Sequence, residues 1–373
     1  MRFTINRRAL NKALSVLQKC SSKSPTLPIH TNIHLSLDKN QLSLVYSNGS
    51  VTIKHTINKA NNGETIISNI EEGEILIKSD LLFELVKKLD GMNFVTFEVF
   101  DDTIVRIESE SFNATIKGIS AAEYPEMNLD EDGELLVLDA RKFLSLVDQT
   151  SFAASTKDKP PLNAINFSVE NGVLDTTATD TTKLARKTIS VSSTTKFSFN
   201  IISKTAESIA RLCEEADKVK VYINRSRALF VFDTTCVSSP LVAVEYPNTK
   251  SIRLQNASYK LEVNAQTLLT ALERVSSLSA STERAVKLSL RKNDIRVSTK
   301  DEGLGSAVEK LSGVYYESEP LEVVCGFYNL SNSIKALRCE DVVLEFTGEM
   351  RPFKISNPKD ESISILITPV RLV

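Results

Sequence analysis

Net charge is almost absent from this chain: 45 Lys and Arg stand against 47 Asp and Glu in 373 residues, a formal −2. That excludes a protein that grips nucleic acid through a large overall basic charge. A local basic surface stays open, because only the sum is fixed. Long apolar runs are missing too. None approaches the roughly 20 residues of a membrane helix, and the richest stretches, 94–100 and 363–370, read as strands. Cysteine is sparse and unpatterned: Cys20, Cys213, Cys236, Cys325 and Cys339 form an odd set without a CxxC pair. Reduced thiols in a cytoplasmic protein fit this usage. The opening MRFTINRRAL alternates and then turns polar, unlike a signal peptide.

Motifs for catalysis are equally scarce. The three histidines, His30, His34 and His55, lie in the first third. His30 and His34 are four apart in a segment that reads as a strand, with no third ligand, so no metal site is expected. No GxSxG or Walker A loop occurs, and Gly303-x-Gly305 lacks the third glycine of a dinucleotide loop. Asp130–Gly133 starts like a calcium loop, but its twelfth position is Arg141. The segment ATDTTKLA, 178–185, sets Asp180 among threonines near a strand end. An aspartyl-phosphate enzyme needs a second Asp where Thr182 stands, so a side-chain-stabilised turn is the simpler reading. No cofactor is expected.

What the chain does have is repetition. FTINRRALNKAL (3–14), LVLDARKFLSLV (136–147) and LEVNAQTLLTAL (261–272) share one pattern: a strand end, a cap at Asn6, Asp139 or Asn264, then an amphipathic helix. A cap oxygen satisfies an orphan N–H of the first turn. A second series starts at ILIKSDLLFELVKKL (75–89), with Ser79 as cap, and returns 124 residues later at Ser203 and again at Phe327, which breaks the cap rule. A third series, Tyr124-Pro125, Tyr246-Pro247 and Thr368-Pro369, sets prolines 122 apart. Each repeat holds two similar halves of strand, helix and two or three alternating strands. In the first repeat those strands fall at 30–38, 41–46 and 50–58, then at 94–100, 103–108 and 111–119. The expected domains are 1–126, 130–250 and 256–373. Alternation predicts antiparallel sheets with one buried face, and helices backed by sheets give an α+β layer structure. Consistent rotation between repeats predicts a curved array that can close into a ring.

Basic residues gather on the expected helices. Arg7, Arg8 and Lys12 lie on the first, with Lys23 just beyond it; Arg141, Lys142, Lys204, Arg211, Lys335 and Arg338 lie on or beside others. Such a lining would attract phosphates without reading bases.

Over its whole length the chain resembles the bacterial DNA polymerase III beta subunits, the sliding-clamp family. The residues that carry the likeness are MRFTINRRAL, SPTLPIHTNI (24–33), SFAASTKDKPPLNAINFSV (151–169), ATDTTKLA and the terminal ILITPVRLV. The resemblance implies three clamp domains per subunit, and a head-to-tail homodimer closing a ring around duplex DNA. It implies a non-catalytic role: tethering the replicative polymerase for processivity. It also implies a pocket that receives short linear motifs of the polymerase, the clamp loader and repair proteins. By motif its wall would be Leu162, Thr179, Thr181, Thr182, Lys183, Leu184, Pro247, Ile252, Leu366, Ile367, Thr368, Pro369, Val370 and Arg371. The family's Gly-His-Arg is Thr181-Thr182-Lys183 here, which replaces a planar guanidinium by a compact ammonium. The basic position before Pro-Thr-Leu-Pro is Ser24, with Lys23 adjacent. Ring joints are expected at the edge strand with Phe112, Ala114 and Ile116, and near Leu278, since exposed edges invite pairing. A repeat-built scaffold without DNA, and an enzyme using Asp180, are the competing readings.

Overall fold

The computed structural model describes residues 1–19, 27–61, 63–252, 256–280, 284–314 and 316–371. Six α-helices recur among them: α1 (Arg7–Gln18), α2 (Ser79–Lys88), α3 (Ala140–Thr150), α4 (Ser203–Leu212), α5 (Ala265–Ser276) and α6 (Phe327–Leu337). Each half-repeat holds one. The Asn6 side chain accepts from the N–H groups of Arg8 and Ala9 at 3.0 and 3.2 Å. Asp139 accepts from Lys142 N at 3.0 Å, and Asn264 from Thr267 N at 3.0 Å. The alternate helices start differently. Ser79 is the first residue of α2 rather than its cap; Lys78 holds the cap position and makes no side-chain cap bond. Ser203 likewise opens α4, and α6 begins at Phe327 after Gly326.

Close contacts divide the chain into two units, 1–143 with 208–241 and 144–207 with 242–373. Two compact units emerge from three repeats because the largest sheets combine half-repeats. In the first unit a five-stranded sheet runs in the order Phe112–Lys117, Ile104–Ser109, Phe94–Phe100, Arg2–Asn6, Ile67–Glu71. An eight-stranded sheet runs Glu134–Asp139, Lys218–Ile223, Arg227–Phe232, Thr235–Pro240, Thr52–Asn58, Gln41–Ser47, Asn32–Leu37, Gly73–Lys78. In the second unit the eight-stranded order is Phe197–Ile202, Ala164–Glu170, Val173–Thr179, Lys183–Ser190, Asp360–Ile367, Phe353–Asn357, Asp341–Phe346, Tyr259–Asn264. A four-stranded sheet runs Gly305–Leu311, Asp294–Asp301, Ala285–Arg291, Leu321–Gly326. All these pairings are antiparallel, as alternation predicts.

The strand that leads into each helix pairs with the sheet of the sibling half. Arg2–Asn6 precedes α1 yet pairs with Phe94–Phe100, and Gly73–Lys78 precedes α2 yet pairs with Asn32–Leu37. The same exchange joins Glu134–Asp139 to Lys218–Ile223 and Tyr259–Asn264 to Asp341–Phe346. Apolar faces of helix and sheet close the cores. Leu10, Ala13, Leu14 and Leu17 of α1 are buried, Phe3 stacks on Phe97 at 5.0 Å, and Phe167 stacks on Phe199 at 5.1 Å. Each such aromatic pair adds about 0.5–1.5 kcal/mol beyond its burial. His30 is not on a strand: Pro28 opens a 3-10 turn, Pro28–Thr31, that buries it. His34 does sit on a strand and pairs with Glu74 at 3.0 Å.

Candidate docking groove and basic helix faces

The hairpin of Val173–Thr179 and Lys183–Ser190 turns through Asp180–Thr182. Thr181 takes φ +76°, a left-handed conformation that the loop must hold against strain. Asp180 holds it. Its Oδ1 accepts from Thr182 N at 2.9 Å, Thr182 Oγ1 at 2.8 Å and Lys183 N at 3.0 Å, while Oδ2 pairs with Lys183 Nζ. Burial alone would raise the Asp180 pKa; the bonds from Lys183 and Thr182 outweigh it and hold the carboxyl low. Every strong donor near Asp180 is thus spent on the turn. Thr179 closes the hairpin, donating from Oγ1 to Lys183 O at 2.6 Å and accepting from Thr181 N at 3.1 Å. Tyr246, from the second Tyr-Pro pair, accepts from Thr179 N at 2.9 Å. Burial pushes its phenol up to about 12, so it stays neutral.

The C-terminal segment locks onto this hairpin. Leu184 pairs with Leu366 and Lys183 with Ile367, Thr368 N donates to Thr182 O, and Val370 N donates to Val324 O, both at 2.8 Å. Asn329 of α6 donates to Thr182 Oγ1 at 3.3 Å. Beside Leu184 and Leu366 opens a groove of about 600 Å³, which also takes in Ile252, Arg186, Val343, Lys354 and Ser356. Ile252 is 47% exposed, an apolar side chain available to a partner.

Of the fourteen residues expected at the pocket, Leu184, Ile252 and Leu366 line this groove. Thr179, Thr181, Thr182, Lys183, Ile367 and Thr368 build the hairpin and strand that flank it. Leu162, Pro247, Pro369, Val370 and Arg371 are outside its lining. Arg186, Val343, Lys354 and Ser356 were not among the expected residues. Arg186 donates to Thr249 O at 2.9 Å, and its Nε lies 3.4 Å from Asp175.

The basic helix faces are mostly as expected. Arg8 and Lys12 are exposed on α1, opposite its buried leucines, and Arg141, Lys142, Lys204 and Arg211 are exposed on α3 and α4. Arg7 is a correction: it is buried, and its guanidinium pairs with Asp90, so it is not offered to a ligand. Lys335 pairs with Glu273 at 3.4 Å and Arg338 with Asp148 at 2.6 Å, which dilutes the charge of α6. Lys23 lies outside the described residues, as do Cys20 and Ser24.

Two of the sheet-edge strands bear on the expected joints. Among the described residues Phe112–Lys117 pairs only with Ile104–Ser109, leaving Phe112, Ala114 and Ile116 half-buried on one face. Gly305–Leu311 pairs only with Asp294–Asp301 and exposes Val308 by 63%. Leu278, expected at a joint, follows the C-terminal end of α5 and is half-buried; Gly305–Leu311 is one edge of the four-stranded sheet. Among the described residues there is no cluster of metal-ligating side chains. No helix there is long and apolar enough to cross a membrane.

Comparison with known families identifies the family of the chain. Three models of the DNA polymerase III beta subunit match in order: the N-terminal domain over residues 1–129, the central domain over 137–248 and the C-terminal domain over 252–371. The chain belongs to the family of DNA polymerase III beta subunits, the sliding clamps. It is 29% identical to the beta sliding clamp of Bacillus subtilis over 377 aligned residues, covering 100% of both chains. It is 26% identical to that of Staphylococcus epidermidis, covering 100% of this chain and 99% of that one. The solved sliding clamp of Bacillus subtilis superposes with a TM-score of 0.95 at 28% identity, again over 100% of both chains. A Pseudomonas aeruginosa clamp bound to griselimycin shares the fold, with a TM-score of 0.93 at 21% identity over 100% of both chains. The three-domain clamp fold, with helices on antiparallel sheets, is therefore that of this chain.

Proposed function

We propose that this sliding clamp encircles duplex DNA as a head-to-tail homodimer in the cytoplasm and tethers the replicative polymerase without catalysis of its own. Its domains span 1–126, 130–250 and 256–373. One observation carries the reading. In four of the six half-repeats the third strand after the helix joins another repeat. That of the first half, Thr52–Asn58, pairs with that of the fourth, Thr235–Pro240. That of the third, Lys183–Ser190, pairs with that of the sixth, Asp360–Ile367. The rule joins half n to half n + 3. It leaves the second and fifth halves, whose third strands after the helix, Phe112–Lys117 and Gly305–Leu311, each end a sheet. A second copy satisfies both: the fifth half of one protomer pairs with the second half of its partner, and two such joints close the assembly. Closure also removes the edges as sites of uncontrolled pairing.

Binding by closure accounts for a net charge of only −2. A ring need not hold phosphates tightly, and each phosphate contact added to the helix faces would have to break as it slides. Arg8, Lys12, Arg141, Lys142, Lys204, Arg211, Lys335 and Arg338 supply a diffuse attraction in this reading. The groove at Leu184, Ile252 and Leu366 receives the apolar side chains of short segments from the polymerase, the clamp loader and repair proteins.

The test is retention on circular DNA. Protein loaded by a clamp loader onto nicked circular plasmid should co-elute with it on gel filtration and be released after linearisation. Equal retention on linear DNA with free ends would overturn topological binding. Leu184→Glu with Ile252→Glu should abolish polymerase-peptide binding while leaving the dimer intact.

A further inference from the structure

One register row crosses six strands of the second unit's eight-stranded sheet. Thr179 pairs with Leu184, Leu184 with Leu366, Leu366 with Lys354, Lys354 with Glu345, and Glu345 with Lys260. Residues directly opposite in a ladder share a face, and the last five of these all line the groove. The groove therefore changes character along its length. Its first end is Leu184 and Leu366, both nearly buried. Its far end is Lys354, Glu345 and Lys260. Lys354 is held by Glu345 at 3.0 Å, whereas Lys260 is exposed and makes no ion pair with a described residue. Of the other charged walls, Arg186 is engaged by Asp175 and Thr249, and Glu361 lies on the strand that carries Leu366. Within the row one glutamate stands between two lysines, and the whole groove carries three basic side chains, Arg186, Lys260 and Lys354, against two acidic ones, Glu345 and Glu361.

We propose that this row makes the groove selective for segments that carry acidic residues beside their apolar anchors, with Lys260 and Lys354 as the selecting side chains. The inference rests on the docking reading of the groove. The spacing follows from the sheet. Neighbouring strands are about 4.8 Å apart, so Lys354 lies about 5 Å and Lys260 about 14 Å from Leu366 along the row. An extended segment advances about 3.3 Å per residue, which puts its carboxylates about two positions from the anchor that meets Leu366 to reach Lys354 and about four to reach Lys260. The row fixes that distance but not the direction of the incoming chain. Charge complementarity of this kind sets which partner is accepted more than how tightly.

The experiment measures fluorescence anisotropy with four labelled hexapeptides on the full-length protein. They are Leu-Ala-Leu-Ser-Asp-Asp, the reverse order Asp-Asp-Ser-Leu-Ala-Leu, and each with Asn in place of Asp. In at least one order the acidic peptide should bind about five- to tenfold more tightly than its amide at low salt, and the advantage should shrink as salt rises. Lys260→Gln with Lys354→Gln should remove the acidic peptide's advantage over its amide. Both lysines are at the groove rim, and an unchanged thermal melt confirms the fold. Equal binding of acidic and amide peptides in both orders overturns the selectivity while leaving the docking groove standing. So does an acidic advantage that survives in the double variant. Binding by none of the four peptides overturns the docking reading, and this inference with it.

Discussion

The N–H of Thr368 donates to the carbonyl of Thr182 at 2.8 Å, fastening the last strand's exit to a turn 186 residues earlier. That turn exists because Asp180 gathers two backbone donors and two side-chain donors around Thr181, which sits at φ +76°.

Asp180→Ala should therefore loosen both the turn and the groove wall. Losing the carboxylate strands two backbone N–H groups, worth about 1–3 kcal/mol in a partly buried site. Urea denaturation reads the stability, and polymerase-peptide affinity should fall in parallel. The Asp180 pKa is depressed in the folded protein. Its stabilisation is thus complete above the ordinary Asp range and lost as pH falls through its lower folded value. The acid limb of the stability profile should flatten in Asp180→Asn. An unchanged acid limb would place the turn's stability elsewhere.

Val308→Asp should turn the dimer into monomers. Val308 is 63% exposed on the open strand Gly305–Leu311, and a carboxylate there would be carried into a sheet joint. Since the residue faces solvent in one chain, the monomer's own stability should change by no more than about 0.5 kcal/mol. Sedimentation velocity reads the mass and a thermal melt reads the fold. A variant that stays dimeric would remove this edge from the joint.

His55 should make stability fall with acid before the carboxylates titrate. It is held in a partly buried site with Nδ1 2.7 Å from Thr235 Oγ1. Burial first, and the nearby Lys12 charge second, push its pKa from 6.5 down to about 4. A folded pKa below the unfolded one means the unfolded chain takes up the proton first. The stabilisation is complete above about pH 6.5 and is lost as pH falls toward 4, by about 3 kcal/mol for the full shift. His55→Gln should remove that slope between pH 6.5 and 4 in denaturation series.

Local chemistry was legible in the sequence, and pairing partners were not. Asn6, Asp139 and Asn264 announce helix starts because a cap bond spans only two or three residues. Ser79 and Ser203 imitate caps but are the first residues of α2 and α4. Alternation tells which face of a strand is buried, not which strand lies beside it, so the exchange of leading strands between sibling halves left no trace in any one segment. Arg7 reads as a surface cation until Asp90, 83 residues away, captures it. His30 reads as a strand residue until Pro28 starts a 3-10 turn. Leu184, Ile252 and Leu366 were readable from motif. Arg186, Val343, Lys354 and Ser356 reach the groove only through the register of four strands, which motif spacing does not encode.

The exchanged leading strands also set the smallest piece of this chain that can exist by itself. A half-repeat cut from its sibling loses a strand from its own sheet and carries a leading strand without the sibling sheet it pairs with. A peptide starting at Gly73 would lack Arg2–Asn6 beside Phe94–Phe100, and one ending before Gly73 would leave Asn32–Leu37 uncovered. The two halves of a repeat are interlocked like clasped hands, so they must be inherited, synthesised and folded as one, however clearly the sequence shows them as two.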